Sequence, residues 1–578
     1  EDNHFTTHNL AASDVVNDRP TDNYCVLNPL NVTGSFTFSE GNLKVSGAIL
    51  GANRVTGTLG ASSRKWYFEF KKESSESGEN FQHWGVYDPS VALGSGGSAL
   101  ASGNATASEW VFADDGVVAN NGTGSASGLG GVSQNDIVQI AIDMDTSKFW
   151  VGLNNTWDGD PAAGTGAAYS NLPATVVPFH HEWGTGKATL CDFGQSDFAH
   201  TPPTGFSALS TGNLPTPTIA KPSEHFDVLT YASSGAKTFD NGTTSMQPDL
   251  VWVKARGNAY DHELTDSVRG VTKALSSNAS NVESTDSTGL TAFGSDGFTV
   301  GAGTNYSTSA MVAWCWKAGT SFEAESGVSG SGSKNPTAGF SIATWTGDDD
   351  DESSTYQTIA HGLGVVPEMI IAKGRTDNTD EGSHWFVYHK DLDSNYYLLL
   401  NSTDGGVDAY LDVIDNIGTS SADFGTEGSF LNFNYGGSDV EYEEVDADTY
   451  VAYFFASVEG YSKIGSYVGT GTASTAPFIY TGFRPAYVMH KEIDTSSYNW
   501  VIHDSARDPF NDASWNHLIA DRSDEENGSE TGPASGFADF VSNGFNLNSA
   551  STEHGNGSGK TYIYYAVAEK PLKYASAR

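Results

Sequence analysis

From about residue 225 onward the chain writes one order of landmarks three times, at a spacing of roughly 115 residues. Each copy opens on a run that ends in an aromatic: Phe226 to Tyr231, Phe340 to Trp345, Ile464 to Tyr467. A proline, one or two residues, an apolar run and a lysine follow: Pro248 to Lys254 (PDLVWVK), Pro367 to Lys373 (PEMIIAK), Pro485 to Lys491 (PAYVMHK). Two copies then carry Asp-Ser-x-Arg, at Asp266 to Arg269 and Asp504 to Arg507; the second copy reads His389-Lys390-Asp391-Leu392 there. Gly-Phe or a variant comes next, at Gly297-Phe298, Gly428 to Phe430 and Gly544-Phe545. Each copy closes on an aromatic run: Met311 to Ala318, Tyr450 to Ser457, Tyr562 to Glu569. A period this long is a small domain repeated, not one turn of a solenoid. A module copied with so sparse a polar set points to architecture or binding before catalysis.

Composition narrows the class. With 65 Gly, 12% aromatic and 17% charged residues, and no sustained helical period, the chain reads as all-β. Its 71 acidic and 29 basic residues give a formal charge of −42, which argues against nucleic acid or an anionic membrane as partner. No apolar run approaches the ~20 residues that span a bilayer. The three cysteines, Cys25, Cys191 and Cys315, are too few and too scattered for a disulfide framework or a metal spacing. The chain starts at Glu1, so processing or a longer parent product is expected.

The organisation read from these signals is an N-terminal extension (1–20), a first β domain (21–214), a Pro-rich linker (215–224), repeat one (225–320), a Gly/Ser linker (321–337), repeat two (338–460) and repeat three with a short basic tail (461–578). In the first domain, Lys65 to Phe70 (KWYFEF) alternates as a strand does, and Asp136 to Asp143 should pair with Lys148 to Leu153 across the turn 144–147. Short strands with turns between them indicate a β-sandwich.

At these residues the chain resembles the SPRY domain. The resemblance is carried by KWYFEF, by Gly85 to Pro89 (GVYDP), by the pair NDIVQIAIDMD and KFWVGLNNTW, and by the ending from Ala188 to Pro215. The part from Asp192 to Pro215 is similar to the version in structural proteins of marine bacteriophages, and the three repeats resemble a module that follows SPRY domains there. The fold expected is therefore a SPRY-like β-sandwich followed by three tandem, homologous, β-sandwich-like repeats. The resemblance implies recognition through loops at one end of the sandwich. By position these are 73–82, 89–108, 157–170 and 180–186, and Trp157, Tyr169, His180, His181 and Trp183 are the candidate ligand-binding residues.

Other constellations are weaker. His180-His181-Glu182 cannot ligate one ion easily, because neighbours on a strand point to opposite faces. Asp348, Asp349, Asp350 and Asp351 are the calcium candidates, although they lack the order of an EF-hand loop and suit a solvated loop better. Asp266, Arg269, Asp504 and Arg507 read as a recurring structural element that pins a loop. Lys254, Lys373 and Lys491 are expected to lie along apolar surface with their amines in water. No nucleophile elbow, phosphate loop or CxxC is present.

The resulting expectation is a non-enzymatic virion protein of a bacteriophage, a tail fibre or other surface appendage. It would need no cofactor, form a homo-oligomer, and bind other virion proteins and a host cell-surface glycan or protein, outside the cell and without nucleic acid or membrane insertion. Two alternatives stand beside it: a head-decoration or other assembly component, and a secreted polysaccharide-degrading enzyme with accessory binding modules.

Overall fold

The computed structural model describes residues 22–574 apart from 48–51, 75–81, 92, 94–105, 185, 240–244, 309, 325–329, 348–355, 377–383, 394–395, 409–413, 426–448, 512–515, 527–537 and 554. The described residues form strands joined by turns, with no α-helix among them, so the chain is all-β. Two compact units result. One holds residues 1–216 with 477–482, and the other 217–476 with 483–578.

The first unit is a sandwich of two largely antiparallel sheets. One sheet orders its strands Leu27–Thr33, Ala52–Gly57, Val177–Trp183, Gln82–Tyr87, Glu109–Ala113, Val117–Asn120 and Thr123–Ala126. The other is centred on Lys65–Lys72, flanked by Ile137–Asp143 and Ala188–Asp192. The expected hairpin forms: Ile137–Asp143 pairs with Lys148–Leu153, with Asp143 opposite Lys148. KWYFEF does not behave as a half-buried strand, because both of its faces are covered. The ending after Asp192 folds back over the outer face, where Ser207–Ala208 adds in parallel beside Trp66 and Tyr67. Phe198 meets Tyr67 edge-on at 4.9 Å. Glu69, stranded beneath, accepts from the Tyr67 hydroxyl and from the amides of Ala199 and His200.

In the second unit each repeat makes one main sheet with one strand order: opening strand, closing strand, lysine strand, corner strand. These are Phe226–Tyr231, Met311–Trp316, Leu250–Ala255 and Glu263–Asp266 in the first repeat. They are Phe340–Thr346, Thr449–Phe455, Met369–Gly374 and Trp385–His389 in the second. In the third they are Ser462–Val468, Thr561–Pro571, Phe483–Glu492 and Val501–Asp504. The lysine strand is flanked on both sides in every copy. Pro248 and Pro367 stand just before that strand, but Pro485 lies inside it, at a register irregularity where a missing N–H is tolerated.

The unbroken apolar runs follow from burial on both faces. Val251, Val253, Ala313 and Cys315 face a smaller three-stranded sheet of their own repeat, packed with Phe239, Leu290 and Phe298. Alternate residues such as Trp252, Trp314 and Trp316 face the other way, into a core shared by all three repeats with Met369, Tyr453, Phe455, Tyr487, Met489 and Tyr565. At its centre Trp316, Phe455 and Tyr565, one from each repeat, close a triangle. Trp316 and Phe455 stand 6.4 Å apart, Phe455 and Tyr565 5.0 Å, and Trp316 Nε1 donates to the Tyr565 hydroxyl at 3.2 Å. Each main sheet thus has one face that only the other two repeats cover.

Candidate functional site

The structure divides the residues expected to form one binding end between the two sheets of the first unit. Trp157 ends the two-residue strand Thr156–Trp157 opposite Gly152, half-buried, with its ring 6.2 Å from Tyr67. A Cβ on Gly152 would lie 3.1 Å from that indole, which is why glycine stands there. The loop beyond it is pinned: Asp160 and Thr165 pair, Lys148 Nζ donates to Gly164 O at 2.8 Å, and Trp150 Nε1 to Thr165 O at 2.9 Å. Tyr169 is half-buried, and its hydroxyl donates to Thr123 O at 3.1 Å, tying the edge of the opposite sheet.

His180 and His181 require a correction. They are not loop residues but lie within the strand Val177–Trp183 of the other sheet, both 0% exposed. His180 points inward and bonds His83 O and Glu182. His181 points outward, opposite Arg54 and His83 across the strands. Burial, with Arg54 and the neighbouring imidazoles adding to it, pushes the pKa of His83 down to about 3 and that of His181 well below the usual imidazole range, so both are neutral at pH 7. Trp183 is half-buried at the end of the same strand. The calcium candidates Asp348 to Asp351 lie outside the described residues.

The recurring residues of the three repeats come together instead, at the seams between neighbours. All three lysines are 0% exposed, against the expectation of watered amines. Lys254 Nζ donates to Ser523 O of the third repeat, Lys373 Nζ to Ser280 O of the first, and Lys491 Nζ to Thr403 O of the second, each at 3.1 Å. The carbonyl ligands explain the burial: an ammonium out of water needs full acceptors. Burial pushes both Lys254 and Lys491 down to about 8.

The residue that opens or directly precedes each corner strand does likewise. Trp385 Nε1 donates to Ser276 O at 2.8 Å and Trp500 Nε1 to Leu399 O at 2.9 Å. His262 takes this place in the first repeat. Trp252 Nε1 donates to its Nδ1, so its Nε2 carries the proton and donates to Ile519 O at 2.9 Å. One backbone bond also recurs: Glu283 N to Arg375 O, Gly406 N to Ile493 O, Glu526 N to Arg256 O. The sheets thus close cyclically, first onto second, second onto third, third onto first.

Two seams add charge. At the first-to-second seam Arg269 Nε donates to Asp266, whose Oδ2 also accepts from the Tyr453 hydroxyl at 2.8 Å, and Glu283 accepts from Arg269 and from Arg375. At the third-to-first seam Arg507 pairs with Asp504 at 2.6 Å, Trp314 Nε1 donates to Asp504 at 3.0 Å, and Glu526 accepts from Arg507 and Arg256. Burial alone would lower Arg269 and Arg507, but the carboxylates reverse this and hold both raised. Burial would raise Glu526, but its two arginines hold it below the usual range. The remaining seam has His389, Gly406 and Ile493 in the corresponding places. The lysine, Trp/His and backbone contacts between repeats were not foreseen from sequence, although the recurrence of the lysine in all three copies was the signal that could have found them.

Fold and seams define an all-β chain with a two-sheet sandwich and a cyclic three-sheet unit. The chain belongs to the family described as "Domain of unknown function (DUF7483)", whose model matches residues 221–571 and so spans all three repeats. Similar solved structures include the SPRY domain of human HERC1, at 14% identity and a TM-score of 0.24, covering 28% of this chain and 96% of that one. The TRIM65 PSpry domain (13% identity, TM-score 0.22, 29% and 92% covered) and a human SPRY domain (12%, 0.20, 28% and 97%) are others. No curated protein matches the chain.

Proposed function

We propose that the chain is a non-catalytic structural and attachment protein of a bacteriophage particle. In it the cyclic three-repeat unit is a rigid base, and the sandwich carries recognition of a host surface glycan or protein. The observation that carries this reading is that the recurring lysines, arginines and seam carboxylates bind neighbouring repeats, as parts of a scaffold do. The phage setting, the surface location and self-association rest on the sequence resemblance alone. Recognition falls to the loop after Trp157, a half-buried indole beside a pinned turn, since binding tends to sit on loops held by a rigid sheet.

The test uses purified full chain with host cells and their surface polysaccharide. Saturable attachment without release of oligosaccharide is the expected result, and Trp157→Ala with Trp183→Ala should lower attachment several-fold while leaving the melting temperature of the second unit unchanged. Release of oligosaccharide would turn the reading to the polysaccharide-degrading alternative. Attachment retained in the double variant would place recognition elsewhere in the chain.

A further inference from the structure

The three seams are built alike in backbone and unlike in charge. Each has a giving side, formed by the corner and the loop after it, and a receiving side, formed by the closing strand and the residue two beyond the lysine. The giving sides are Asp266, Arg269 and Glu283 in the first repeat, His389, Leu392 and Gly406 in the second, and Asp504, Arg507 and Glu526 in the third. The receiving residues are Arg256, Arg375 and Ile493 in the same order. In the structure the two charged giving sides meet the two arginines, and the neutral giving side meets Ile493. Each charged seam sets two arginines against two carboxylates, and at the first-to-second seam the half-exposed Lys273 stands 4.0 Å from Glu283 as a further cation.

We infer that these residues are an address code that fixes the cyclic order of the three repeats. The backbone bonds, the lysine and the Trp or His contacts are common to all three seams and cannot tell one neighbour from another. Charge can. In the reversed order the second repeat would face the first, setting Arg256 against Leu392 and Gly406 with no carboxylate to receive it. The first repeat would face the third, setting Glu283 against Ile493 with half its guanidinium partners gone. A buried charge without its partner is far more costly than a neutral pair or a matched ionic pair, so discrimination comes from the mismatches. The placement of charge also follows the covalent links. The second and third repeats are tethered by residues 456–461 alone, between Phe455 and Ser462, and need no code. The first and second are separated by 317–339, and the third meets the first with no direct link; these two seams carry the charges.

The inference is independent of what the chain binds, and a cycle of variants tests it. Arg256→Ile and Glu526→Gly each copy one half of the neutral seam and leave the other half charged. Each alone should lower the folding equilibrium constant on the order of tenfold to a hundredfold, read from denaturant midpoints. Together they should recover most of that loss. The reverse graft approaches from the neutral side: Ile493→Arg alone should destabilise, and adding Gly406→Glu should restore stability. In the single variants, hydrogen exchange should rise at the Glu526 amide in the first case and at the Gly406 amide in the second, with the Glu283 amide still protected. Losses that simply add in both pairs, or exchange that rises equally at all three amides, would overturn the inference.

Discussion

At the scale of single residues, the seams place lysines and arginines where water cannot reach them and supply them with carbonyl and carboxylate partners. Lys491 is the clearest case, with its amine on Tyr498 O at 2.6 Å as well as on Thr403 O. Lys491→Met keeps the length of the side chain but takes the ammonium donor from Tyr498 O and from Thr403 O, which keeps only the Ser497 amide. It should cost about 1–3 kcal/mol, and an unchanged thermal midpoint would contradict the seam role. Glu263 gives a pH signature. Burial pushes its carboxyl up to about 7, although Asn305 donates to it at 2.6 Å. Its folded pKa lies above the ~4.3 of an unfolded glutamate, so the stability it contributes is whole below pH ~4 and is lost as pH rises to ~7. Glu263→Gln still offers Asn305 an oxygen and should remove that loss, raising the melting temperature at pH 8 but not at pH 4. Equal shifts at both pH values would show that the carboxyl's charge is not the cause. Recurrence in the sequence identified the structural Asp/Arg pairs, whereas the burial of the lysines was missed because a lone lysine after an apolar run usually has its amine in water. The carbonyls that receive those amines come from loops of another repeat, at sequence distances that no local pattern reveals.

At the scale of elements, strands were legible where periodicity or apolar runs marked them. The 137–143 and 148–153 hairpin and the three lysine strands were read correctly from the sequence. The exposure of those strands was not, because alternation in KWYFEF predicts one wet face and the chain covers it with residues 198–208, which are polar and proline-rich and carry no strand signal. For the same reason His180 and His181 were read as part of a loop: two polar residues in succession break the apolar pattern of the strand that contains them. The Gly-Phe landmark has a physical reason in the first repeat. Gly297 adopts φ +153° where the strand Gly297–Val300 begins, and a Cβ there would fall 1.8 Å from Lys237 O on the paired strand. Since backbone rather than a side chain must yield, Gly297→Ala should cost about 2 kcal/mol or more and loosen the small sheet against Phe239 and Leu290. A denaturant midpoint equal to that of the wild type would mean that the hairpin shifts freely.

At the scale of the whole molecule, a formal charge of −42 repels itself across the surface, and salt screens that repulsion over about 8 Å at physiological ionic strength. The melting temperature should therefore rise from low to moderate NaCl, because the buried pairs at the seams are shielded from the ions that screen the surface. A fall would mean that the ion pairs, not the repulsion, dominate. The shared core has a further consequence for the making of the protein. When the first repeat leaves the ribosome, one face of its sheet, with Trp252, Trp314 and Trp316, is covered only in part by Phe340 and Phe455 of the second repeat and is not complete until the strands carrying Tyr487 and Tyr565 arrive. At ~5–20 residues per second that wait is on the order of tens of seconds. During translation the nascent chain exposes a broad aromatic surface, so its yield in cells will depend on growth temperature and on chaperones that hold such surfaces, even though the finished molecule hides them entirely.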